Sequence, residues 1–80
     1  MTREVIAKVK EKFPTIYIHL EGLNKDYNND ALNKDAVRKE IYGYTCGLHD
    51  AGIISERERQ VLLIYTFRKV GVRIWLLWLV

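Results

Sequence analysis

Cys46 and His49 stand three residues apart, the spacing at which two side chains leave one face of a helix. Such a pair could share a metal ion or act as thiol and base. A closed zinc site needs four ligands, and the chain has one further histidine, His19, and no second cysteine. A nucleophilic thiol also needs an activating position such as a helix N-terminus, whereas the pattern puts Cys46 inside a helix. The expectation is a buried thiol beside a surface histidine near a helix C-terminus, where positive charge is favoured. Asp26-Tyr27-Asn28-Asn29-Asp30 offers oxygens at the first, third and fifth positions of a calcium loop. The sixth position is Ala31 where glycine must turn, and the twelfth is Val37 where a bidentate glutamate is required, so calcium is rejected. These residues read instead as a cap or an Asx turn. No glycine-rich phosphate loop is present, because Gly43 and Gly47 fall within a helical pattern. The expectation is a binding protein that is not an enzyme, with no catalytic residue, metal or cofactor.

The elements that would position these residues are clearest between residues 33 and 67. Val37, Ile41, Tyr44 and Leu48 recur at helical spacing. Gly52 can turn left-handed and end that helix. Ser55, with Glu58 three residues on, forms the Ser-x-x-Glu capping box of a second helix. The sequence therefore predicts a helical hairpin, its second helix starting at Glu56 and continuing past Phe67.

Before the hairpin, Thr2–Phe13 reads as a helix with Val5, Ile6, Val9 and Phe13 on its apolar face, ended by Pro14. Residues 15–20 are rich in β-formers, yet Ile16, Tyr17 and Leu20 also fit helical spacing behind a proline that can open a helix. A short helix is the preferred reading, and Leu23–Asn33, rich in Asn and Asp, reads as a loop with at most one turn of helix. The fold class expected is all-α: one domain over residues 1–80, of three or four helices, with a core of Val5, Val9, Phe13, Ile41, Leu48, Val61, Leu62, Ile64 and Tyr65. The alternative is an α+β fold in which residues 15–20 pair with residues 72–80.

Eighty residues bury only roughly 60% of their unfolded surface, which leaves a marginal core. Hydrophobic residues at 49% and charged residues at 29% mark a globular chain and exclude a disordered one. The single cysteine suits a reducing compartment, and the charged start MTREVIAKVKEKF lacks the apolar core of a signal peptide, so a cytoplasmic protein is expected. Ile74–Val80 contains no polar residue. Seven residues cannot cross a bilayer that requires roughly 20, so no transmembrane segment is expected. So small a core can hardly cover that tail, and self-association as a homo-oligomer is expected.

The formal charge of +3 is unevenly spread. Lys8 and Lys12 lie in a basic first segment, and Arg68, Lys69 and Arg73 form another near the C-terminus. With Arg57 and Arg59 at the opening of the second hairpin helix, these residues make up a nucleic-acid-binding alternative of helix-turn-helix outline. Glu56 and Glu58 in the same turn would repel phosphate, which favours a protein partner. Tyr27, Tyr42, Trp75 and Trp78 are the candidate anchors for that partner, since Tyr and Trp dominate interface hot spots.

Gly47, Leu48, Ala51, Gly52, Ile54, Ser55 and Glu58 form the pattern GL-x-x-AG-x-I-[ST]-x-x-E. This stretch resembles small helical accessory proteins carried by bacterial phages and integrative elements. The resemblance implies a protein that acts by occlusion, sitting on a host protein or nucleoprotein complex. Inhibitors of host nuclease complexes of the anti-CRISPR kind are one such class.

Overall fold

The computed structural model describes residues 2–29 and 33–69. It contains four helices: α1 (Thr2–Lys12), α2 (Pro14–Asn29), α3 (Lys34–Asp50) and α4 (Glu56–Thr66). No strand occurs among the described residues. Residues 15–20 lie inside α2, which removes one side of the α+β alternative; residues 72–80, with Trp75, Trp78 and Arg73, lie outside the described residues.

Phe13 alone separates α1 from α2, and its N–H still bonds to the Val9 carbonyl. Pro14 occupies the first position of α2, where a missing N–H costs nothing. α2 then runs to Asn29, so the loop expected from Leu23 onward is corrected: its first seven residues are helical. Leu20, Leu23 and Asn24 are buried and Tyr27 packs on the core. Those positions repeat at helical spacing, and burying them outweighs the weak helix propensity of Asn and Asp. Asp26–Asn29 consequently form no local Asx turn, and Asn28 instead helps to cap α4.

The α3–α4 connection matches expectation. Gly52 has φ +76°, the Gly52 N–H bonds to the His49 carbonyl, and the Ile53 N–H bonds to the Leu48 carbonyl. That pair of bonds is a Schellman motif. The Ser55 hydroxyl accepts from the Glu58 N–H at 3.1 Å while the Glu58 carboxylate accepts from the Ser55 N–H at 2.8 Å, closing the capping box.

The core comprises Val9, Leu20, Leu23, Val37, Ile41, Leu48, Ile54 and Leu62. Val5 and Phe13 pack partly buried against it, and Val61 and Tyr65 are half-buried. Ile64 is corrected from core to surface at 72% exposure. It lies two residues beyond the fully buried Leu62, about 200° around the helix, and so on the opposite face. Thr45 and Thr66 are fully buried because their hydroxyls donate to the carbonyls of Ile41 and Leu62 one turn back.

α4 stops at Thr66 instead of running on. The Asn24 amide, 4% exposed, donates to the carbonyls of Thr66 and Arg68, each at 2.8 Å. The Asn28 amide donates to the same Arg68 carbonyl at 3.0 Å. Two side chains of α2 thus cap the end of α4.

Three outcomes follow from these geometries. Asn24→Ala takes the side-chain partner from the buried Thr66 carbonyl and should lower stability by about 1–3 kcal/mol in urea titration. Gly52→Ala should cost about 1–2 kcal/mol for its left-handed backbone. Gly47→Ala, within α3 and with nothing within 4 Å of the added methyl, should instead stabilise by about 0.5–1 kcal/mol.

Candidate functional site

The Cys46–His49 pair does not converge. Cys46 is exposed, not buried as expected, and its Sγ lies 4.0 Å from Arg59 Nη1. His49 Nε2 lies 3.6 Å from Glu56 and its Nδ1 3.8 Å from Asp50. Among the described residues no group of three or more His, Cys, Asp or Glu side chains is placed to hold a metal. No helix among them is long and apolar enough to cross a membrane.

The basic residues are largely engaged within the molecule. Lys8 Nζ donates to Glu58 Oε2 at 2.7 Å, tying α1 to the start of α4. Arg59 Nε donates to Glu56 Oε2 at 3.0 Å, and a second, shorter bond joins Nη2 to Oε1. Arg68 Nη2 donates to both oxygens of Glu21 at 3.0 and 3.1 Å, and its guanidinium lies 3.8 Å from the centre of the Tyr65 ring. The Tyr65 hydroxyl donates to the same carboxylate at 2.6 Å. Burial, then the Glu21 bond, pushes the Tyr65 phenol well above its usual range. Lys12, Arg57 and Lys69 are surface residues.

The structure does gather three aromatic rings at the end of the bundle where α2 and α4 finish. Tyr27 of α2 meets Phe67, the C-cap of α4, edge to face at a centroid distance of 5.0 Å. Tyr42 of α3 meets the same Phe67 ring at 5.6 Å and 52°. Tyr27 and Phe67 are half-buried against the core, whereas Tyr42 is 47% exposed. Lys34 Nζ lies 4.9 Å from the centre of the Tyr27 ring, and Arg38 follows one turn further along α3. Lys34, Arg38 and Tyr42 are spaced four apart along α3, so one stripe of that helix carries both cations and the exposed ring. Two of the four anchors expected from sequence, Tyr27 and Tyr42, therefore belong to one surface. Phe67 was not among them. Its only sequence signal was membership of the apolar run ending the hairpin, which does not reveal that it would receive rings from two other helices.

No protein family, curated protein or solved structure matches the chain.

At the opposite end of α4, Arg59 holds the Glu56 carboxyl down to about 2, with smaller help from Gln60 and His49. Lys8 and the Ser55 backbone N–H hold Glu58 below its ordinary value. A depressed carboxylate stabilises the fold above its unfolded pKa and loses that contribution as pH falls through the folded value. Helicity followed by circular dichroism from pH 6 to pH 2 should therefore fall with acid below about pH 4.3, the ordinary glutamate value. Glu58→Gln, which keeps a capping side chain and removes the charge, should be less stable at neutral pH and show a shallower acid dependence.

Proposed function

We propose that this chain is a non-enzymatic protein-binding module, an accessory protein of a mobile genetic element that occludes a host nuclease or nucleoprotein complex. The observation that carries the binding reading is Tyr42, an exposed ring seated on a partly buried floor of Phe67 and Tyr27. An aromatic ring held by packed neighbours loses little conformational freedom on contact, which is how interface hot spots are built. The mobile-element reading rests on the Gly47–Glu58 turn pattern, and self-association through the apolar residues 74–80 belongs to the same proposal.

The disposition of the cations favours a protein partner over nucleic acid. In a DNA-reading hairpin the first turn of the second helix addresses bases and phosphates. Here Arg59 is held by Glu56, and Glu58 is committed to Ser55 and Lys8. Arg68 is held by Glu21 on another face.

Tagged protein incubated with nuclease-treated bacterial lysate should retain a specific host protein. Tyr42→Ala should weaken that retention by about 30-fold, equivalent to a hot-spot loss of about 2 kcal/mol, with an unchanged helical spectrum. Recovery of nucleic acid alone, abolished by nuclease, would replace this reading with the nucleic-acid one.

A further inference from the structure

The surface around Tyr42 combines one presented ring with two cations on the same helical stripe, Lys34 and Arg38. Arg38 Nη1 donates to Asp35 Oδ1 at 2.8 Å, in an exposed pair one turn apart. Such surface pairs contribute little, so an incoming carboxylate can take the place of Asp35 without a large penalty. Lys34 sits over the Tyr27 ring, which holds its head beside the aromatic floor, and Arg38 lies one turn further along the same stripe. A planar guanidinium is suited to bidentate capture of a carboxylate.

Resting on the protein-binding reading above, we infer that the surface formed by Tyr42, Phe67, Tyr27, Lys34 and Arg38 docks an acidic protein segment bearing an aromatic or aliphatic anchor. The anchor packs on Tyr42 and the edge of Phe67, and flanking carboxylates meet Lys34 and Arg38. Cations beside a packed apolar patch give charge complementarity to such a segment and repel basic ones. Single-stranded nucleic acid fits less well. Base stacking uses successive ring faces, but these rings lie edge-on and tilted against one another, and Lys34 covers a face of Tyr27.

The test is to pan a random dodecapeptide display library against the immobilised full chain and to titrate the enriched peptides. Enriched sequences should carry net negative charge around an aromatic or aliphatic residue. Their affinity should drop at least about 10-fold on Tyr42→Ala and on the double variant Lys34→Gln/Arg38→Gln, and several-fold between 50 and 500 mM salt. Both variants should keep the wild-type helical spectrum, which separates lost contact from lost fold. Failure to enrich any peptide, enrichment of neutral or basic peptides, or equal affinity for the double variant would overturn the inference. So would a labelled single-stranded thymidine dodecamer that binds with the same dependence on Lys34 and Arg38. The same variants in the nuclease-treated pull-down keep the two readings apart. A host protein lost with Tyr42→Ala but retained by Lys34→Gln/Arg38→Gln sinks the acidic segment and leaves the binding module standing. Acidic peptides enriched without a Tyr42-dependent host protein sink the occlusion reading and leave the surface.

Discussion

A buried amide on α2 governs how this bundle closes. Asn24 sits in the core with both amide hydrogens used, one on the Thr66 carbonyl and one on the Arg68 carbonyl. The last carbonyls of a helix have no partner within the helix, and burying them unpaired is costly. α4 therefore ends where Asn24 can reach it, and α2 must stay helical far enough to bring Asn24 and Asn28 there. The same register delivers Glu21 to Arg68 and Tyr27 to Phe67. One polar contact thus sets the length of two helices and the position of the aromatic surface.

The two ends of the α3–α4 hairpin are stabilised by opposite means. At the turn everything is local: Gly52 reverses the chain, the Schellman bonds close α3, and the Ser55–Glu58 box opens α4. At the far end local bonds are joined by a distant cap, supplied from α2 through residues forty or more positions away in the chain. An autonomous turn needs no help from the rest of the fold. A cap supplied from a neighbouring helix couples α4 to the packing of α2 and so ties Phe67 to Tyr27.

Electrostatics follows from the same geometry. Lys8, Arg59 and Arg68 each face a glutamate on their own or a neighbouring helix. These three cations are therefore partly neutralised within the molecule. Lys34 is placed differently, over the Tyr27 ring, and Arg38 one turn further along has an exposed residue of the same helix as its carboxylate partner. Charge held against an apolar patch selects partners by sign without requiring a large net charge.

The helical class, the hairpin turn and the break at Pro14 were legible in the sequence because each depends on neighbours within a few positions. Tyr27 and Tyr42 could be named as anchors by residue type. Their meeting over Phe67 could not be foreseen, because it requires the mutual register of three helices. The helical state of Leu23–Asn29 was hidden for a related reason: local propensity argued for a loop, and only burial of Leu23 and Asn24 against α4 reversed it. Ile64 was placed in the core by hydrophobicity, but the rotation of α4 set by Leu62 and Thr66 turns it outward. Cys46, taken for a buried thiol, is likewise left at the surface beside Arg59. By itself the sequence determined the turns, caps and breaks, whose hydrogen bonds close within about five residues. Tertiary structure decided the helix ends and the gathered surface, because a buried carbonyl or ring must find its partner wherever the packed chain supplies one.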